Sequence, residues 1–269
     1  MTTTPQPPSP ELAAASDALR TQWATLRPWV AEHVDASTGT LPSILAGWDV
    51  ADLVAHVGRG MSALTAVEPA PAGTVPLALG EYLAGYGAGA AVIARTTREL
   101  TATIASDPLA AIDAFAAAAF ARLDELGTHE QVVVARRGPI RLSDMVVSRV
   151  VELVVHADDL FRSLDATRTG AAPAAPGYAS AVEELDRGIL DDAGGRGVLD
   201  PAALDLVAQA LLDVLVARGG FVVELGDPLT WVRLAAGRIP YDVDAVAVAL
   251  TAPYTSDAVP DLGRVLPLF

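Results

Sequence analysis

Apolar side chains recur every three or four positions over most of residues 10–165, and prolines and glycines punctuate the runs. Leu12, Leu19, Trp23, Leu26 and Val30 fall on one helical stripe. Ahead of them Ser9-Pro10-Glu11 reads as a cap, a first-turn proline and a first-turn acid. That predicts a helix from Pro10 to about residue 34, behind a proline-rich lead-in over 1–9 read as disordered. Ala36–Gly47 reads as a loop. At the next start Asp49 can cap, Asp52 sits three residues on, and Trp48 and Leu53 take the two staple positions. Leu53, His56, Val57, Met61 and Leu64 continue that helix, which is expected to end at Pro69. Residues 77–105 predict an alanine-rich helix weakened by Gly80, Gly85, Gly87 and Gly89. Ser106-Asp107-Pro108 opens another, stopped by Gly127 after Leu126.

Three consecutive valines within Gln131–Ala135 predict a short strand, and Arg136-Arg137-Gly138-Pro139 a turn. Ser143 is a candidate cap for a helix over Asp144–Leu164. Thr167–Gly177 is a long break rich in Ala, Pro and Gly, and the domain boundary is placed there. Beyond it, Tyr178–Leu190 and Pro201–Val216 read as helices around the glycine-rich Gly194–Gly197. Phe221–Leu225 reads as a strand, Leu229–Ala236 as a short helix closed by Gly237, and the alternating Val243–Leu250 as a strand. The predicted architecture is α + α/β. Residues 10–166 form an N-terminal four-helix bundle, 167–177 a linker, and 178–269 a small α/β domain.

Composition narrows what such a fold can do. The 269 residues are 52% apolar and carry a net charge of −15, spread over both halves. An acidic chain is a poor partner for nucleic acid or an anionic membrane, which need a basic face. There is no cysteine, hence no disulfide and no protein thiol. All 18 basic residues are arginine, which removes Schiff-base and P-loop lysines. The longest charge-free stretch from residue 33 onward, Thr169–Val182, holds two prolines and two glycines, far from the roughly 20 apolar residues of a membrane span. With no basic segment ahead of an apolar run at the start, a cytoplasmic monomer or homodimer is expected, the alanine-rich helices offering a face for a dimer.

Of four histidines, two sit mid-helix on apolar faces. In Arg149-Val-Val-Glu152-Leu-Val-Val-His156-Ala-Asp-Asp159, the four numbered residues fall within about 80° of arc at about 100° per residue. Their neighbours are valine and leucine, so a carboxylate there is buried and needs a partner. A divalent metal satisfies Glu152 and His156 together, since the i,i+4 pair can hold one ion. His56, on the other well-signalled helix, is the candidate third ligand, and a three-ligand set leaves an open position. Two blander readings stand beside it: Glu152 pairs with Arg149, and His156 bonds a backbone carbonyl in the core. As helpers, Arg149 and Asp159 flank the ligands, Asp159 placed to orient the His156 imidazole. His33 and His129, beside Glu32 and Glu130, read as solvent-facing ends. Tyr86 and Arg95, on the third helix, are candidates to line the cleft.

Gly47-Trp-Asp-Val-Ala-Asp-Leu-Val-Ala-His56, with Arg149 through Leu160, resembles the mycothiol-dependent maleylpyruvate isomerase family of the DinB-like superfamily. The resemblance covers roughly residues 8–165. It implies a helical bundle whose divalent metal, zinc, is held by His56, Glu152 and His156, with mycothiol as cosubstrate and a small acid as substrate. Mycothiol supplies the thiol that the chain lacks, by adding to a double bond or displacing a leaving group. Phe221 through Arg238 resembles the sterol-carrier-like α/β domain that follows such bundles, and implies that Arg238 reaches the site to bind substrate or thiol. The alternative is a sterol-carrier-like protein binding a lipid or other small molecule, with a non-catalytic metal.

Overall fold

The computed structural model describes residues 7–169, 197–219, 222–251 and 262–269. Ser9 accepts from the Leu12 amide and starts α1 (Pro10–His33). Pro7–Ser9 belong to the fold: Ser9 donates its amide to Thr128 O at 2.9 Å, and Pro7 O lies 3.0 Å from His129 Nδ1. After a loop that turns at Gly47 (φ 78°), α2 (Val50–Ser62) opens on a reciprocal capping box between Asp49 and Asp52. Helix α2 stops well before the expected Pro69. A 3₁₀ turn over Ala63–Ala66 follows, then strand β1 (Glu68–Pro69), which the sequence reading missed because two residues carry no pattern. Next come α3 (Leu79–Ile104) and α4 (Pro108–Leu126), the latter capped by Asp107 and closed by Gly127 (φ 82°).

Strands β2 (Val132–Ala135) and β3 (Gly138–Arg141) form a hairpin around Arg136-Arg137. They pair antiparallel with Val133 opposite Ile140, and β1 adds outside β2 in the order β1-β2-β3. Helix α5 (Leu142–Thr169) starts straight out of β3, before Ser143, and runs past Leu164 into the stretch read as a break. It is the central element, packed on α1, α2 and α3 and on α6 (Pro201–Gly219) of the C-terminal region. That placement is why its valines and leucines surround it on every side: Val146, Val150, Val154 and Leu160 are fully buried. Five helices therefore make up the N-terminal region, a helix-rich bundle rather than a strict four.

In the C-terminal region α6 is joined by α7 (Pro228–Ala235), capped by Asp227, and α8 (Val243–Ala249), capped by Asp242. The β4 (Glu224–Leu225) and β5 (Leu250–Thr251) strands pair antiparallel. Val243–Leu250 is thus not a strand. The Asp242 carboxylate takes the Asp244 and Ala245 amides, and Ala245, Val246 and Ala249 bury at helical spacing. The Val/Ala alternation was coincidental. The expected strand Phe221–Leu225 shrinks to Glu224–Leu225, with Phe221 outside the described residues. Also outside them lie the expected helix Tyr178–Leu190, the linker from Gly170 to Gly177, and Gly194–Arg196. Among the described residues no single helix is long and apolar enough to cross a membrane.

Helix α7 is pinned to α5 by a buried fork. Arg233 Nε and Nη2 donate to the two Asp158 oxygens at 2.8 and 2.6 Å. Removing Asp158 takes from the buried Arg233 the carboxylate that accepts both of these N–H groups. Asp158→Ala is expected to destabilise the protein by roughly 3 kcal/mol, read from the urea unfolding midpoint.

Candidate metal centre

Three side chains from two helices meet where α2 crosses α5. His56 is held on α2 by its apolar neighbours Leu53, Val57 and Met61, all buried. Trp48 packs edge-on against its ring at 5.1 Å. Glu152 and His156 stand one turn apart on α5. Their ligand atoms and that of His56 all lie within 4.8 Å of one another. His56 Nε2 is 3.2 Å from Glu152 Oε2, and His156 Nε2 is 3.3 Å from the same oxygen. The helices are in contact here: a Cβ at Gly60 would sit at ordinary van der Waals distance, 3.7 Å, from Glu152 Cβ. The three side chains are 10–11% exposed, so the centre is buried but not sealed from solvent.

Hydrogen bonding on the far side of each imidazole decides what the near side can be. His156 Nδ1 lies 2.9 Å from Asp159 Oδ2. A carboxylate only accepts, so Nδ1 carries the proton. In neutral His156, Nε2 then presents a lone pair to another acceptor, Glu152 Oε2. Two acceptors at 3.3 Å need a cation between them, either a proton or a metal. His56 Nδ1 lies 3.3 Å from Thr97 Oγ1, which also accepts from Arg59 Nη1 at 3.2 Å. When Nδ1 of His56 donates to Thr97, its Nε2 is likewise bare. Tetrahedral zinc with bonds of about 2.0–2.1 Å sets neighbouring ligand atoms about 3.3 Å apart. The two observed separations match that edge, and one carboxylate with two imidazoles is a donor set that zinc accepts. The residues fit the metal.

The titration behaviour follows the same contacts. Burial pushes the Glu152 carboxyl up, but hydrogen bonds from His156 and His56 outweigh it and hold it well below the ordinary range. Burial and the neighbouring His156 lower His56. Burial pulls His156 down too, yet its bonds to Asp159 and Glu152 prevail and raise it. The Asp159 carboxyl, pushed up by burial, is held at about 2 by Arg238 and His156.

Around this core the predicted helpers are distributed unevenly. Asp159 orients His156, and Arg238 Nε in turn lies 2.9 and 3.1 Å from the two Asp159 oxygens. The left-handed turn at Gly237 (φ 64°), just past α7, brings Arg238 there. Arg238 thus reaches the centre, but its Nε is spent on Asp159, and Nη1 donates to Ala236 O. Arg149 does not pair directly with Glu152: it donates to Gly60 O at 3.2 Å, to Ser148 and to the Tyr86 hydroxyl. Nor does His156 bond a backbone carbonyl through Nδ1. Both bland readings give way. Tyr86 sits at the site, its hydroxyl proton held more tightly by burial and, despite Arg149, by Glu152. Arg95 does not: it lies in solvent, 3.8 Å from Glu99. His33 stacks on Trp29 and His129 meets Pro7 O, both exposed. Thr97 and Arg59 escaped the sequence reading. Neither has a motif, although Arg59 follows His56 by three residues and so shares its face.

Residues 19–161, just over half of the chain, match the family described as the mycothiol maleylpyruvate isomerase N-terminal domain. No curated protein and no solved structure matches.

Because His156 must shed a proton to ligate, metal affinity is expected to fall as pH drops through a value above 6.5, with proton release measured on metal titration in weak and strong buffers. Asp159→Asn is expected to weaken metal binding by about 10- to 100-fold in chelator competition. With its depressed folded pKa, Asp159 stabilises fully above about pH 4, and the contribution is lost as pH falls toward about 2. The Asn variant therefore flattens the acid limb of the stability profile.

Proposed function

Because the chain belongs to the family of the mycothiol maleylpyruvate isomerase N-terminal domain, we propose that it is a metal-dependent enzyme that uses a low-molecular-weight thiol, mycothiol, on a small electrophilic acid. The reaction is an isomerisation or a thiol transfer. The observation that carries this reading is the approach of two imidazole Nε2 atoms to one Glu152 oxygen, with His156 Nδ1 already committed to Asp159. A divalent metal there, zinc in this reading, lowers the pKa of a bound thiol or water and polarises a carbonyl.

The chain's own residues then divide the work. His56, Glu152 and His156 hold the ion. Asp159 fixes the His156 tautomer and is itself held by Arg238. Arg238 has Nη2 left for a carboxylate of substrate or thiol. Arg149 locks the junction of α2 and α5 through Gly60 O and keeps Tyr86 beside Glu152. With no cysteine in the chain, the thiol comes from solution. A carrier of an apolar ligand is not favoured. The described C-terminal residues fill their interior with Trp231, Leu211 and Leu215, and Trp231 Nε1 donates to Ala208 O.

Protein purified without a histidine tag is expected to carry about one divalent ion per chain by elemental analysis. His56→Ala and Glu152→Gln are expected to lose it and to lower mycothiol-dependent turnover roughly a thousandfold, the several kcal/mol of a missing Lewis acid. Metal-free protein that turns over as well as loaded protein, or a His56→Ala variant with full activity, would end this reading.

A further inference from the structure

Cationic side chains stand beside the centre that its hydrogen bonding leaves idle. The turn between β2 and β3 consists of Arg136 and Arg137. Arg137 folds back onto α3, its guanidinium carbon 3.8 Å from the Tyr86 ring centroid and 5.5 Å from that of Tyr82. Gly85 makes room for it: a Cβ there would come within 3.2 Å of Arg137 Cδ. The guanidinium is thus a half-buried group held by stacking rather than by acceptors. Among the described residues nothing accepts its N–H groups. None of its nitrogens is both sealed from solvent and unpartnered, so its free N–H groups face solvent, where a carboxylate can take them.

The ring that carries Arg137 belongs to Tyr86, whose hydroxyl meets Arg149 beside Glu152. Arg59 of α2 reaches the same helix, α3. Its Nη1 donates to Ile93 O at 3.0 Å and to Thr97 Oγ1, the oxygen that touches His56. Its Nε and Nη2 have no acceptor among the described residues. Burial and then Arg136 and Arg137 hold Arg59 below its ordinary range, so the three guanidinium groups feel one another. Glu152 offsets them only in part, and arginines gathered so in a chain of net charge −15 mark a place for an anion.

We propose that Arg137, with Arg59 and Arg136 around it, forms an anion subsite at the rim of the metal centre that seats a carboxylate of the substrate. The planar fork of a stacked arginine matches a carboxylate edge-on. This rests on the proposed function for its choice of substrate, but the binding itself does not need the metal.

Malonate titrated into the protein by calorimetry at low ionic strength is the test. Saturable binding is expected, weakened at least tenfold in Arg137→Gln while the metal content stays that of the unaltered protein. Arg137→Lys recovers little, since an ammonium neither stacks flat nor forks. Arg136→Gln, at an exposed position, is expected to weaken binding two- to threefold and serves should the Arg137 variants fail to fold. Unaltered protein that does not bind malonate, or an Arg137→Gln variant that binds it equally well, overturns the proposal. A tenfold preference for inorganic phosphate over malonate overturns the carboxylate assignment. Loss of malonate binding in Arg137→Gln from protein that never holds a metal leaves the subsite standing and removes the proposed function alone.

Discussion

A carboxylate placed inside a helix bundle has to be neutralised from close by, and Glu152 imposes that requirement on everything around it. Its helix is packed in valine and leucine, so little water reaches the charge. Two imidazoles approach the same oxygen, and one of them already has its other nitrogen fixed by Asp159. A proton on His156 is one answer to the charge, and the bonds to Asp159 and Glu152 favour it. A divalent cation answers it more fully, because it draws on all three donors at once. The helix that hosts Glu152 must therefore stay rigid, and its neighbours must bring counter-charges to fixed points.

The three buried acids of α5 are each served by an arginine or histidine from another part of the chain or another turn. Asp158 takes Arg233 from α7, Asp159 takes Arg238 from the turn after α7, and Glu152 takes His56 from α2. Five residues separate the two arginines, and their targets are adjacent. The C-terminal region is thereby keyed to the centre through charge as well as through its apolar packing on α1 and α5. Gln22 on α1 adds a further tie, donating to Val198 O and accepting from the Asp200 amide. Such a docked region holds the His156 ring indirectly, since Arg238 acts on it only through Asp159.

Much of this was legible in the sequence where local rules decide the outcome. The Asp49/Asp52 capping box, Pro108 after Asp107 and the Gly127 stop each fix an element end through one residue's own hydrogen bond or dihedral angle. The His56, Glu152 and His156 set was legible because polar groups stand out against valine. What stayed hidden depends on partners far along the chain. Nothing near Thr97 says that His56 will lie 3.3 Å away, and nothing in Arg136-Arg137 says that one folds over Tyr86. The alternation over Val243–Leu250 misled for the opposite reason. Alanine and valine bury equally well on a helix, so a period of two carries little weight unless its polar positions are charged, and Asp242 as a cap outweighed it.

An acidic protein with a cationic cleft rim is not a contradiction once distances are considered. At physiological ionic strength charges are screened over about 8 Å, so the distant carboxylates that make the net charge −15 act weakly at the rim. Arg59 feels Arg136, Arg137 and Glu152, and Arg149 feels Glu152 from its own side, so these near groups set the local field. The chain uses arginine alone for this purpose, and each guanidinium is fixed by a different device: a buried hydroxyl for Arg149, backbone and Thr97 for Arg59, an aromatic face for Arg137. Lysine would hold the charge but not the plane. A rim of oriented forks beside a gap between two imidazoles and a carboxylate offers an anion a planar partner at one end, which is the geometry the proposed subsite uses.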